Sequence, residues 1–167
     1  AVAMARHAAG PLPAFFDRVL VDTQCTHEGS LRHVLRHLDA PAGAAVWSPE
    51  LLDALFARWT AEVEAIEAMQ RGLIRRGFQL LRPGGRLVYS TCSFARRQNE
   101  DVVRWLLAVE PEARIVPLPP GPPMREPPGL AGAAYLDPLT SATSGLFVAA
   151  LERAPSAAAL SGSSARC

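Results

Sequence analysis

Apolar runs of two kinds alternate along this chain. Phe16-Asp17-Arg18-Val19-Leu20-Val21-Asp22 sets three aliphatic residues between charged ones and predicts a buried strand over 17–22. Leu31, Val34, Leu35 and Leu38 then recur at helical spacing, with Arg32, His33, Arg36 and His37 on the other face. Ser48-Pro49-Glu50 is a helix start: a capping hydroxyl, a proline at the first helical position and a carboxylate in the first turn. Behind it, Leu52, Leu55, Phe56, Trp59, Val63, Ile66, Met69, Leu73 and Ile74 make one apolar stripe, and the pattern ends at Leu81. Gly72 and Gly77 fall inside it and each costs about 1 kcal/mol against alanine, which points to a break or a close approach. Pro83-Gly84-Gly85 turns the chain into a strand over 86–91. Gln98-Asn99-Glu100-Asp101 leads a helix through Val102, Val103, Leu106 and Val109, with its carboxylates at the positive end of the dipole. Arg114–Leu118 reads as a short strand and Ser144–Leu151 as a strong last one. This order predicts an α/β fold, a mostly parallel sheet with flanking helices.

The pattern thins elsewhere. Residues 117–129 carry seven prolines, and 117–134 reads as one extended loop. From Ala154 onward small and polar residues predict a disordered tail. One domain over 1–153 followed by a tail over 154–167 is the expected division.

Composition narrows the function classes. The 167 residues are 49% hydrophobic and 20% charged, as in a globular protein with a real core. No apolar run approaches the ~18 residues that span a bilayer, so no membrane partner is expected. Net charge is +1, which does not announce a nucleic-acid partner; every basic residue is arginine, so any phosphate contact uses a guanidinium. Three cysteines are too few for a disulfide framework and suit a reducing, intracellular setting. His33 and His37 have a metal-compatible spacing but no evident third ligand; they read as a solvated basic face, with no metal.

Two cysteines stand at the C-terminal ends of predicted strands. Cys25 follows Asp22 closely, and Cys92 closes the run Leu87-Val88-Tyr89-Ser90-Thr91. In open α/β sheets chemistry gathers outside these strand ends. A free cysteine is also one of the most buried residue types, so a small core residue is the competing reading for each. A redox pair is the weaker alternative, since there is no Cys-x-x-Cys motif.

These blocks together resemble the Nol/Nop/Sun family of RNA cytosine-C5 methyltransferases over roughly residues 15 to 152. The strand ending in Asp22 and running to Cys25 resembles that family's Asp-Ala-Pro-Cys block, and Leu81 to Ser93 is close to its second cysteine block. Gln98 to Val103 resembles the helix that follows, and Thr143 to Ala149 the last strand. The resemblance implies the C-terminal portion of a Rossmann-like methyltransferase domain and an activity that moves a methyl group from S-adenosylmethionine to carbon 5 of cytosine in rRNA or tRNA. It implies Cys92 as the nucleophile that adds to carbon 6, Cys25 as an aid to product release, and Asp22 at the cofactor and target-base site. Arg32, Arg36, Arg96 and Arg97 would form the RNA-facing surface.

The departures matter as much. The Gly-rich cofactor loop and the strands expected before residue 17 have no counterpart in the chain, so the main S-adenosylmethionine loop is expected to be absent and the edge of strand 17–22 open. Gln24 stands where the family has proline, and Ser144 where an aspartate is common. The alternative function is a non-catalytic RNA-binding fragment without a cofactor pocket.

Overall fold

The computed structural model describes residues 14–27, 29–30 and 49–155. The expected helix over 31–38, with Arg32, His33, Arg36 and His37, lies outside them. The elements run β1 (Phe16–Asp22), α1 (Pro49–Gln79), β2 (Leu81–Thr91), a 3-10 turn (Arg96–Gln98), α2 (Glu100–Val109), β3 (Ala113–Val116), β4 (Ala133–Leu136), α3 (Pro138–Ser141) and β5 (Leu146–Arg153). The sheet order is β1-β2-β5-β3, with β4 also on β5.

The α/β class holds, but the sheet is mixed rather than mostly parallel among the described strands. β1 and β2 are parallel; β5 runs antiparallel to β2, β3 and β4. Connection length explains this. A parallel crossover needs about a dozen residues or more. Only residues 137–145, including the single turn of α3, separate β4 from β5.

α1 is one unbroken helix, so the two glycines do not break it. Gly77 is instead a close approach: a Cβ there would lie 2.7 Å from a Val21 methyl and 3.0 Å from Leu87. That lets the helix lie directly on β1 and β2. The buried face runs through Gln70, Ile74, Gly77 and Phe78, while Met69 and Leu73 of the predicted stripe are exposed. Gln70 is the reason the pattern misled. It is a fully buried polar residue whose Nε2 donates to the Gln24 carbonyl at 2.8 Å.

Pro83-Gly84-Gly85 forms an irregularity inside β2 rather than a turn ahead of it. Phe16 pairs with Leu81, and the next partners are Arg18 and Arg86. Gly84 takes a positive φ of 78°, which glycine adopts without strain. β4 begins inside the stretch read as loop, and Arg125 bridges to Tyr135 in front of it.

Leu87 and Tyr89 of β2, Val102, Val103 and Leu106 of α2, Phe147 and Leu151 of β5, and Ile74 and Phe78 of α1 form the core. Each large apolar side chain removed from water contributes about 1.5–3 kcal/mol. β1 is one open edge of the described sheet, and Leu20 on it is 68% exposed. No described helix is long and apolar enough to cross a membrane.

Candidate active site

The register of β1 on β2 builds the site. Asp22 pairs with Ser90, and Thr23 N donates to the Ser90 carbonyl at 3.3 Å. Both strands end there side by side, so Cys25 and Cys92, a few residues farther on, are delivered to one place. Their Sγ atoms lie 3.4 Å apart and are not bonded. Cys25 is 2% exposed; Cys92 is half-buried and reachable.

A third group completes the cluster, and the reading of the sequence missed it. His27 Nδ1 lies 3.1 Å from Cys92 Sγ and 3.6 Å from Cys25 Sγ. His27 holds a positive φ of 63°, a conformation that costs a non-glycine residue of order 1 kcal/mol. The available signal was a histidine two residues after a strand-end cysteine, a close source of a proton acceptor.

The Gln98-Asn99-Glu100 block frames both sulfurs. Asn99 is fully buried: its Oδ1 accepts from Thr91 Oγ1 at 2.5 Å, and its Nδ2 donates to the Ser93 carbonyl at 2.8 Å and to Tyr135 Oη at 3.0 Å. It thus grips the residues on either side of Cys92. Gln98 does the same beside Cys25, accepting from Thr26 N at 3.1 Å and donating to Thr26 Oγ1 at 2.8 Å. Tyr89 Oη donates to the Gln98 carbonyl at 2.7 Å, and Tyr135 Oη to Glu100 at 2.9 Å. Glu100 is buried in this network, a role beyond the helix-dipole partner the sequence suggested. Gly29 ties the two loops to β5: its N donates to the Cys92 carbonyl at 2.7 Å, and its carbonyl accepts from Gly145 N at 3.0 Å. A Cβ on Gly29 would lie 2.7 Å from both the Cys92 and Gly145 carbonyl oxygens, so only glycine closes this seam.

Asp22 is exposed at the end of β1, where Ser90 Oγ donates to its carboxylate at 2.8 Å. Arg97 makes a two-pronged pair with Glu67 of α1 at 2.9 and 3.2 Å. Arg96 is more open, pairs with Asp101 at 3.1 Å, and borders a cleft of about 590 Å³ shared with Phe94, Arg125 and Tyr135.

The two cysteines differ in chemistry. Burial, seconded by the neighbouring Cys92 sulfur, pushes the Cys25 thiol up to about 12, so it stays protonated through the neutral range and ionises only as pH rises toward that value. At about pH 8, iodoacetamide is therefore expected to label Cys92 while leaving Cys25 largely unmodified. Peptide mass spectrometry reads the order; Cys25 labelling as fast as Cys92 would contradict it.

The family model described as 16S rRNA methyltransferase RsmB/F matches residues 33–152. The ribosomal RNA small subunit methyltransferase F of Klebsiella pneumoniae is 45% identical over 109 residues, 64% of this chain and 19% of its own length. The chain thus spans about a fifth of the curated relatives it matches. Among solved structures, a methyltransferase homolog protein from Pyrococcus horikoshii superposes with a TM-score of 0.58 at 26% identity, over 84% of this chain and 40% of that one. NSun6 from Pyrococcus horikoshii, solved with SFG, gives 0.50 at 27% identity, over 55% and 23%. The matched span covers well over half of the chain, including Cys92, its framing block, β2 to β4 and β5 up to Glu152, and on that ground the chain belongs to the 16S rRNA methyltransferase RsmB/F family.

Proposed function

We propose that this chain carries the paired-cysteine part of an S-adenosylmethionine-dependent RNA (cytosine-5)-methyltransferase acting on rRNA in a reducing, intracellular setting. The observation that carries the reading is the thiol pair at 3.4 Å, one sulfur reachable and one buried, at adjoining strand ends. Carbon 5 of cytosine is a poor nucleophile. Addition of the Cys92 thiolate to carbon 6 turns the ring into an enamine whose carbon 5 can attack an electrophilic methyl group, one hard step split into easier ones. His27 Nδ1 is close enough to take the Cys92 proton, given the tautomer with hydrogen on Nε2.

S-adenosylmethionine supplies the methyl group as a sulfonium. The residues present fit one side of such a molecule: Asp22 offers an exposed carboxylate, fixed by Ser90, at a strand end of the kind where α/β sheets hold ligands. Asp22 is the residue here that would hold it.

After transfer, a base takes the carbon-5 proton and the bond from sulfur to carbon 6 breaks. Cys25 suits this stage, because a thiol kept protonated by burial can donate a hydrogen bond to the departing Cys92 sulfur. Cys25→Ala is therefore expected to slow turnover and to leave a covalent protein–RNA adduct visible on a denaturing gel. Normal turnover with no adduct would make Cys25 a packing residue. Arg96, beside the cleft with Phe94 and Arg125, is the described arginine best placed for RNA phosphate.

A further inference from the structure

We infer that Cys25, His27 and Cys92 form a binding site for a thiophilic divalent ion of the zinc type. The three donor atoms lie within 4.8 Å of one another, and among the described residues they are the group with metal-binding composition and closeness. The distances are nearly those of a tetrahedral face. With Zn–S near 2.3 Å and Zn–N near 2.0–2.1 Å, tetrahedral angles put two sulfurs about 3.8 Å apart and sulfur from nitrogen about 3.5 Å. The observed separations are 3.4 Å between sulfurs and 3.1 and 3.6 Å from His27 Nδ1 to the two sulfurs. Shifts of a few tenths of an ångström would seat the ion.

The donor set fits the chemistry too. Two sulfurs and one imidazole nitrogen select zinc and similar ions over calcium or magnesium, which take oxygen. Three protein ligands leave a fourth position, and Cys92 and His27 are partly exposed, so the ion has a way in. The set is also held in place. Gln98 and Asn99 clamp the residues beside each cysteine, so little ordering is left for the metal to impose. Binding displaces one proton from each thiol into solvent and forms two metal–sulfur bonds and one metal–nitrogen bond. An ion held there occupies both sulfurs, so on the proposed role of Cys92 it would be an inhibitory ligand; the binding itself does not depend on that role.

Cobalt(II) is the probe, because thiolate-to-cobalt charge transfer reports sulfur ligation without any methyl-transfer assay. The 167-residue chain is used with Cys167→Ser, which leaves two thiols. One equivalent of cobalt is expected to bring up the charge-transfer band, and zinc to displace it. Cys92→Ser and Cys25→Ser should each abolish tight binding. His27→Gly is the decisive variant: glycine suits the positive φ at this position, which offsets the lost imidazole contacts and keeps the chain folded, yet cobalt affinity should fall at least tenfold. No band with the parent chain overturns the site. So does unchanged affinity in a folded His27→Gly protein.

Discussion

Cys92→Ala should remove methyl transfer by on the order of a thousandfold or more while leaving the fold in place, measured as transfer of labelled methyl groups to RNA by this chain or a longer polypeptide that contains it. The structure separates the two effects. The side chain of Cys92 is partly exposed, and it contacts the Cys25 sulfur and His27 Nδ1. Its main-chain carbonyl, which accepts from Gly29 N, survives the substitution. The loop is held by Thr91, Ser93 and Asn99, none of which is touched. A stability change within about 1 kcal/mol is expected, as for a partly exposed side chain outside the core. No residual route replaces the sulfur: Cys25 is 2% exposed and protonated at neutral pH, so it cannot stand in as nucleophile. Retained turnover in Cys92→Ala would reject the assignment outright, and so would a covalent RNA adduct in a Cys25→Ala/Cys92→Ala protein.

The strand ends were legible because their signals are local. Short aliphatic runs closed by Asp22 and by Ser90-Thr91 place both cysteines at strand termini without any knowledge of the rest of the chain. β1 and β2 lie side by side and parallel in the structure, the common arrangement for strands joined by a helix. The direction of β5 was not legible, because it depends on short connections that fold back across the sheet rather than on the apolar content of the strand. β4 was hidden for a related reason. Ala133-Ala134-Tyr135-Leu136 has little strand character, and its pairing on β5 and the Arg125 bridge define it. In α1, Gln70 occupies a core position that periodicity reserves for an apolar residue, and only its bond to the Gln24 carbonyl explains it. His27 was missed because its importance is tertiary: the parallel register brings it to a sulfur 65 positions away. Sites assembled between elements in this way are where local pattern is least informative.

Asn99→Ala is expected to be the most damaging change outside the cysteines, for stability and placement together. The side chain is fully buried and makes three hydrogen bonds, from Thr91 and to Ser93 and Tyr135. Alanine leaves the Ser93 carbonyl without its Asn99 donor and takes an acceptor from Thr91, and buried polar groups stripped of partners cost about 1–3 kcal/mol each. A total loss of about 3 kcal/mol is reasonable, and for a domain of this size it lowers the melting temperature by on the order of 10 °C. Asn99→Asp sharpens the test. It keeps the acceptor for Thr91 but loses both donor bonds, and it adds a carboxyl beside a tyrosine hydroxyl already given to Glu100. Two carboxyls packed into one buried network repel each other, so Asn99→Asp should destabilise at least as much as alanine. Cys92 alkylation gives the second readout: released from the clamp on Thr91 and Ser93, its sulfur should react at a rate distinct from that in the parent protein. A melting temperature within about 2 °C of the parent for both variants, with unaltered Cys92 reactivity, would show that β2 alone positions the sulfur and that Asn99 is packing.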